Sequence, residues 1–184
     1  MSPSPRISAY ALAAVTALRR QSVSLATAES LTGGALASAI TDVPGSSHVF
    51  RGGVVAYNAT VKEQLLHVPA ELLATRGPVD PRVAADMAAG ATRIFNAEIA
   101  VATTGVAGPE SHGGHSPGLV YIGWRSPKSH GVVKANLRGD RSVIRDATVA
   151  ISLQIITQCL HGVHIDLGTI ECGDAITQVG EGAE

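Results

Sequence analysis

The residues best suited to covalent chemistry lie at positions 28–34, which read Ala-Glu-Ser-Leu-Thr-Gly-Gly and directly follow the apolar run 23–27. A strand that ends at a serine and continues through glycines into an alanine-rich helix exposes Ser30 as a candidate nucleophile. The N-terminus of a helix leaves backbone N–H groups without partners, and these attract an anion or a developing oxyanion. Glycine lets a substrate approach the backbone closely, so Gly33 and Gly34 are candidate substrate-binding residues. Serines also cap helices for structural reasons, so the assignment of Ser30 needs support from other residues.

A serine nucleophile needs a base, and Lys62 is the best candidate because no histidine stands in an obvious place to serve Ser30. Lys62 lies early in a predicted helix that begins just after Tyr57. A helix N-terminus and partial burial both lower the pKa of a lysine. Tyr57 is placed to orient Lys62 or to relay a proton. The alternative is a solvated helix lysine beside an interface tyrosine, and the residues alone favour that alternative.

A second glycine-rich segment, Thr-Thr-Gly-Val-Ala-Gly-Pro at 103–109, follows a predicted buried strand. Open α/β sheets bind ligands at this position, but the spacing matches neither a Walker motif nor a dinucleotide-binding fingerprint. Thr104 offers a hydroxyl, and Gly105 and its neighbours offer backbone N–H groups for a phosphate or carboxylate. An ordinary connecting loop is an equally good interpretation.

Two arginines begin the last long helix. Arg141 and Arg145 are four positions apart and therefore share a helix face. Arginine at a helix start is unfavourable for the helix dipole, which indicates an anionic partner such as a substrate phosphate. A carboxylate elsewhere in the fold would serve equally well. Asp140 is predicted to cap this helix.

Histidine pairs provide the weakest candidate site. Positions 112 and 115, and positions 161 and 164, carry histidines at spacings that metal ligands use. Neither pair has a cysteine or carboxylate cluster nearby to complete a coordination sphere, so no metal site is predicted.

Composition limits the class of protein. The chain has 184 residues, 45% of them apolar and 3% aromatic, with 14 Lys plus Arg against 15 Asp plus Glu. The near-zero net charge and scarcity of aromatic residues argue against nucleic-acid binding. No apolar run approaches the length of a membrane span, and the first residues lack the pattern of a secretory signal. Cys159 and Cys172 are predicted to be reduced, and we expect a cytoplasmic protein.

Helices and buried strands alternate along the chain, which predicts one three-layer α/β/α domain with a mixed, largely buried sheet over residues 1–160. Helices are predicted at 6–20, 33–40, 58–66, 70–74, 80–94 and 140–160. Strands are predicted at 23–27, 50–57, 97–103, 119–124 and 132–137, and 105–118 is predicted to be a loop. Residues 161–184 are interpreted as a C-terminal extension whose 163–167 and 175–179 runs add an edge strand or cover a partner. Residues 180–184 are expected to be disordered.

Taken together, these segments resemble the CinA C-terminal domain family, which also occurs as a stand-alone nicotinamide-nucleotide amidohydrolase of the PncC type. The matching segments, in the family's order, are 28–34, Tyr57-Asn58 with Lys62, 104–109, and Gly139-Asp140-Arg141. Four motifs in order over residues 6–160 make the resemblance specific.

The resemblance implies hydrolysis of the carboxamide of nicotinamide mononucleotide to nicotinate mononucleotide and ammonia, in pyridine-nucleotide recycling. Ser30 would be the nucleophile, Lys62 the general base and Tyr57 a supporting residue. Thr104 and Arg141 would bind substrate, with Arg145 added because it shares a face with Arg141. No metal or organic cofactor is implied, and the partner expected besides the nucleotide is a second copy of the chain in a homodimer.

This sequence departs from the family in the segment after Pro109, which reads Ser-Pro-Gly at 116–118 where the family commonly has Lys-Pro-Val-Gly. Two further hypotheses therefore stand beside the first. One is an amidase for another phosphorylated amide. The other is a non-catalytic nucleotide-sensing or partner-binding module, although a binding module has no need of a base beside a serine hydroxyl.

Overall fold

A computed structural model describes residues 4–160 and 176–181 of the chain. Its helices are α1 (Pro5–Gln21), α2 (Ala35–Thr41), α3 (Ala59–Leu66), α4 (Ala70–Arg76), α5 (Pro81–Phe95) and α6 (Arg141–Leu160), with a short 3₁₀ turn at Ser46–His48. Its strands are β1 (Leu25–Glu29), β2 (Phe50–Val55), β3 (Ile99–Gly105), β4 (Leu119–Arg125), β5 (His130–Leu137) and β6 (Ile176–Glu181).

The strands form one mixed sheet in the order β2-β1-β3-β4-β5-β6. The first three in this order run parallel, and each later neighbour is antiparallel. The short β4–β5 connection explains that antiparallel pair, as the sequence predicts. Because the carboxyl ends of parallel strands meet at one edge, the segments that follow β1, β2 and β3 are brought together there.

Two helical layers cover the sheet, which confirms the predicted three-layer architecture. Alternate strand residues face opposite layers: Leu25 and Ile99 pack with α1, α2 and α6, whereas Ala26 and Ala100 pack with α3 and α5. Small alanines on the second face let α5 lie close to the sheet. At Gly123 of β4, a Cβ atom would collide with the backbone of Ala84 on α5.

Strands β1 and β3 lie two residues further along the chain than their apolar runs predict. β1 includes Glu29, and β3 includes Thr104 and Gly105, which the sequence analysis places in a loop. Polar residues can continue these strands because their side chains find partners: the buried hydroxyls of Thr103 and Thr32 lie 2.8 Å apart. Ser30, the candidate nucleophile, therefore follows β1 immediately, with no intervening loop.

The C-terminal extension adds the sixth strand, since Ile176–Glu181 pairs with β5. This agrees with the edge-strand interpretation of the 175–179 run and differs from the expected disorder at Gly180 and Glu181. Residues 182–184, the 163–167 run and Cys172 lie outside the described residues. Cys159 is a buried free thiol, and burial raises its pKa to about 12.

Helix α6 is long and apolar enough to meet the length and composition criteria for a membrane span, contrary to the prediction that no run approaches this length. However, 67% of its most apolar window is buried inside the fold. Its apolar residues are used in the core against α1 and the sheet.

Candidate active site

Ser30 and Lys62 are in direct contact at the carboxyl edge of the parallel strands. The Lys62 Nζ donates a hydrogen bond to the Ser30 Oγ at 3.0 Å and a second to the backbone carbonyl of Ala56. Ser30 directly follows β1, and Ala56 directly follows the adjacent strand β2. The parallel pairing of these strands thus places the serine beside the segment that orients the lysine.

Lys62 is buried to an unusual degree for a lysine, with only 1% of its surface exposed. Removing an ammonium group from water disfavours its charged form, and burial lowers the Lys62 pKa from 10.5 to about 8. About a tenth of Lys62 is therefore neutral at pH 7, far more than for a lysine of ordinary pKa, and the neutral form is the one that can act as a general base. Asn58 begins α3 by accepting a hydrogen bond from the Thr60 N–H, and this cap fixes the helix that carries the lysine.

The turn after Ser30 is tied to β3. The Ser30 N–H donates to the Thr103 carbonyl at 3.0 Å, and the Thr32 and Thr103 hydroxyls are paired. Thr32 and Thr103 are both fully buried. These contacts hold the turn rigidly against the sheet without using the Ser30 hydroxyl.

A buried carboxylate, that of Glu29, caps the N-terminus of α2. Glu29, 1% exposed, accepts hydrogen bonds from the N–H groups of Gly34 and Leu36 through Oε2 and of Ala37 through Oε1, at 2.8–3.1 Å. An internal anion at a helix start satisfies both the unpaired donors and the dipole. The Gly34 N–H is therefore used inside the protein and is not available to a substrate.

Arg145 contacts the backbone of the turn that follows Ser30. Its Nε donates to the Leu31 carbonyl at 3.1 Å and its Nη2 to the Thr32 carbonyl at 2.7 Å. It contacts the outside of the turn, and neither Arg145 nor Gly33 nor Gly34 is among the described residues that line the cavity beside Ser30. Gly33 has a left-handed φ of 59°, which the tight turn requires.

Two N–H groups of the turn have no acceptor among the described residues, those of Leu31 and Thr32. The Gly33 N–H is used by the Ser30 carbonyl at 3.1 Å. Leu31 borders the cavity and immediately follows the nucleophile, where the oxyanion donor of many serine hydrolases lies. Leu31 is therefore the best-placed oxyanion donor of the turn.

A cavity of about 390 Å³ opens beside Ser30. Its lining joins the ends of β1 and β3, the start of α6 and the segment after β3: Ser30, Leu31, Tyr57, Lys62, Pro78, Val79, 104–112 and Arg141. The volume lies within the range of roughly 300–1,000 Å³ that is typical of small-molecule sites. The structure thus brings Ser30, Lys62, Tyr57, Thr104, Gly105 and Arg141 to one cavity.

Tyr57 is bonded to Arg141 rather than to the serine–lysine pair. The Arg141 Nη2 donates to the Tyr57 hydroxyl oxygen at 3.0 Å, and its Nη1 donates to the Gly108 carbonyl at 2.8 Å. No described hydrogen bond joins Tyr57 to Lys62 or Ser30. The predicted support of Lys62 by Tyr57 is instead provided by the Ala56 carbonyl.

Thr104 and Gly105 lie at the end of β3, on the cavity wall. The Thr104 hydroxyl donates to the Pro78 carbonyl at 2.6 Å, so its oxygen can still accept a hydrogen bond from a ligand. A Cβ atom on Gly105 would collide with the backbone of Leu119 and Val120. Gly105 is thus required by the packing of β3 on β4.

Comparison with known proteins identifies the family. The family model described as CinA C-terminal domain matches residues 8–160. The chain belongs to the CinA C-terminal domain family. A CinA-like protein of Frankia casuarinae is 43% identical over 146 residues, which cover 79% of this chain and 34% of that protein. The chain spans about a third of the length of the curated relatives that it matches.

Solved CinA-family structures share the fold. The competence/damage inducible protein CihA of Agrobacterium tumefaciens superposes with a TM-score of 0.82 at 33% identity, covering 88% of this chain and 99% of that one. Competence damage-inducible protein A of Klebsiella pneumoniae gives 0.82 at 28% identity, covering 87% and 99%. The described core of this CinA-family domain thus has known structural counterparts.

Several functional groups of this CinA-family domain were not found by sequence reasoning. The Ala56 carbonyl and the Thr103 hydroxyl have no sequence signal, because any residue supplies a carbonyl and threonine is common in strands. Glu29 did have a signal, since a carboxylate just before a glycine-containing helix start can cap it. Among residues 4–160 and 176–181, no cluster of three metal-ligating side chains is present.

Proposed function

We propose that this protein hydrolyses the carboxamide of nicotinamide mononucleotide, releasing nicotinate mononucleotide and ammonia, with Ser30 as nucleophile and Lys62 as general base. The observation that carries the proposal is the hydrogen bond between a buried lysine of lowered pKa and a serine hydroxyl that borders a cavity. A solvent-exposed lysine would remain protonated and could not act as a base at neutral pH. The membership of the CinA family supports the choice of this amide.

Acylation begins with neutral Lys62 taking the Ser30 proton as the Oγ attacks the carboxamide carbon. The carbonyl oxygen becomes an oxyanion, which the Leu31 N–H is placed to stabilise. The lysine then gives its proton to the amide nitrogen, the C–N bond breaks, and ammonia leaves. An ester between Ser30 and the nicotinoyl group remains.

Deacylation reverses the proton transfers with water in place of serine. Lys62 takes a proton from a water molecule that attacks the ester, and returns it to the Ser30 oxygen as the ester bond breaks. The product is the carboxylate of nicotinate mononucleotide. Only protons and one acyl group move, so the chemistry needs no redox cofactor.

The nucleotide phosphate requires donors at the far side of the cavity. Arg141 extends from the start of α6, and the exposed segment after β3 adds backbone N–H groups. Thr104, with its free acceptor capacity, is placed to hold a hydroxyl or amide of the substrate. This division puts the reacting amide at Ser30 and the phosphate near Arg141.

The deciding experiment measures ammonia release from nicotinamide mononucleotide by chelator-treated protein, with Ser30→Ala as the matched variant. Ammonia from the wild type and none from the variant, which should still bind the nucleotide in calorimetry, supports the proposal. A wild type that binds the nucleotide without releasing ammonia would instead support a nucleotide-sensing module.

A second candidate is an amidase for a different phosphorylated amide. It is favoured by the segment after β3, where Glu110, Ser111 and His112 line the cavity just before the part that departs from the family pattern. A panel of phosphorylated amides assayed in parallel separates the two. A kcat/KM at least tenfold higher for another amide would overturn the assignment to nicotinamide mononucleotide.

A further inference from the structure

Arg145 grips two consecutive carbonyl groups of the turn that follows Ser30. Its Nε and Nη2 donate to the carbonyls of Leu31 and Thr32 at 3.1 and 2.7 Å. Two N–H groups fixed in one planar guanidinium set the direction of the bonds as well as their length. Arg145 is half-buried, and among the described side chains no carboxylate forms an ion pair with it.

The hydrogen bonds from Arg145 fix the orientation of the peptide planes, and with them the directions of the N–H groups that follow Ser30. In a trans peptide the N–H points opposite to the C=O of the same plane. The Leu31 carbonyl therefore fixes the Thr32 N–H, and the Thr32 carbonyl fixes the Gly33 N–H. The Gly33 N–H in turn donates to the Ser30 carbonyl at 3.1 Å, which shares its plane with the Leu31 N–H.

We propose that Arg145 is a positioning residue that, by holding the turn, aims the Leu31 N–H group at the oxyanion formed when Ser30 attacks a carbonyl. The inference rests on the proposed function only in requiring Ser30 to be the nucleophile. Neither the Leu31 N–H nor the Thr32 N–H has an acceptor among the described residues. Leu31 borders the cavity, so its N–H is the one available to an incoming oxygen, whereas Thr32 is fully buried and lies outside the cavity lining. The positive charge of Arg145, which has no carboxylate partner among residues 4–160, lies behind the turn and favours the same negative charge.

The position of Arg145 separates this role from substrate binding. Arg141, one helical turn earlier on α6, borders the cavity, whereas Arg145 does not. An interaction realised in the transition state lowers kcat when it is lost, and a lost substrate contact raises KM. The two arginines should therefore differ in the kinetic parameter that they control.

The first test is Arg145→Lys, which keeps the positive charge but removes the bidentate donation of the planar guanidinium group. We expect kcat for ammonia release to fall roughly tenfold to a hundredfold, since losing one complete oxyanion donor costs about 10²–10³. KM should stay within about twofold. The control is Arg93→Lys on α5, where the guanidinium also donates to a backbone carbonyl, that of Leu66 at 3.3 Å, outside the cavity. A raised KM with unchanged kcat would make Arg145 a substrate-binding residue and overturn the inference.

A second readout does not depend on the identity of the substrate. A fluorophosphonate reacts with an activated serine: the Ser30 Oγ–P bond forms, fluoride leaves, the serine proton goes to Lys62, and the phosphoryl oxygen takes the oxyanion position. Arg145→Lys should be labelled at least tenfold more slowly than the wild type, with Arg93→Lys unchanged. In Arg145→Ala, added guanidinium ion should restore part of the labelling rate, which a merely unfolded variant would not allow.

The outcomes distinguish the two proposals. Equal labelling of wild type and Arg145→Lys overturns the positioning role. A labelled wild type that releases no ammonia from nicotinamide mononucleotide overturns the substrate assignment and leaves the role of Arg145 supported by the labelling rates. A wild type that fails to react at Ser30 overturns both.

Discussion

The Lys62 ammonium nitrogen lies 3.0 Å from the Ser30 hydroxyl oxygen, and the Ala56 carbonyl holds it from the other side. These two acceptors are the only described partners of a cation that is almost completely withdrawn from water. Two neutral acceptors compensate an ammonium less well than a carboxylate does, which is why burial lowers the Lys62 pKa to about 8.

The activity should therefore rise with pH as Lys62 loses its proton. We expect kcat/KM for ammonia release to increase up to about pH 8 and then level off, because the neutral lysine is the reactive form. In Lys62→Ala, kcat/KM for ammonia release should fall by a factor of roughly 10²–10⁴. Lys128→Ala, a change at an exposed lysine between β4 and β5, is the control. A rate that stays constant between pH 6 and 9 would contradict the role of Lys62.

The same pKa makes a prediction about stability. The unfolded chain holds the Lys62 proton up to about pH 10.5, whereas the folded chain releases it above about pH 8. Because the unfolded state binds more protons between these values, the free energy of unfolding should rise there with pH. A methionine at position 62 does not titrate. Relative to Lys62→Met, the free energy of unfolding of the wild type should therefore increase by about 3 kcal/mol across this pH range.

Urea unfolding of the wild type and Lys62→Met at pH 7 and pH 10 measures this difference. Other titrating groups are common to both proteins and cancel. A difference in unfolding free energy that is the same at both pH values would show that Lys62 keeps an ordinary proton affinity in the fold.

Tyr57→Phe should affect binding rather than proton transfer. The lost hydroxyl accepts from Arg141 and has no described bond to Lys62, so the arginine loses one of its two protein partners. We expect KM to rise a few-fold while the pH midpoint of kcat/KM stays at that of the wild type. A shifted midpoint would restore Tyr57 to the proton path that the sequence analysis gives it.

Glu29→Gln should destabilise the fold. The buried carboxylate accepts three backbone N–H groups, and a glutamine would present an NH₂ group to at least one of them. We expect a loss of about 1–3 kcal/mol in the free energy of unfolding. Chemical unfolding measures it, with Glu63→Gln on the exposed side of α3 as the matched control. Equal losses in both variants would mean that the Glu29 cap contributes nothing.

The hydrophobic pattern of the sequence was sufficient to predict the layers, and the pairing of Ser30 with Lys62 followed from the family resemblance, since the residues alone favoured a solvated lysine. Hydrophobic periodicity reports which face is buried, and motif order located the serine and lysine before any coordinates. The sequence was less informative about Arg145. A spacing of four residues shows that Arg141 and Arg145 lie on the same face of the helix, but it does not show which groups each side chain contacts.

The strand ends were misjudged for a related reason. The apolar runs stop before Glu29 and Thr104, but backbone pairing continues through both residues. Thr104 is buried with the Pro78 carbonyl as its partner, 26 residues away in the chain, which the local sequence does not reveal. The partners of Glu29 are close in sequence, at the start of α2, and this local capping signal was overlooked.

A single turn of helix α6 carries two contacts of the candidate site. Arg145 bonds the turn after Ser30, and Arg141 lines the cavity. Ile144, only 1% exposed, lies between Arg141 and Arg145 and anchors that turn in the core. A ligand that binds Arg141 and displaces its side chain would therefore act on the same turn of α6 that carries Arg145, whose guanidinium bonds the turn after Ser30. If Arg141 binds the substrate phosphate as proposed, we expect phosphate binding to influence the reactivity of Ser30, so that a substrate analogue without a phosphate has a lower kcat as well as a lower affinity.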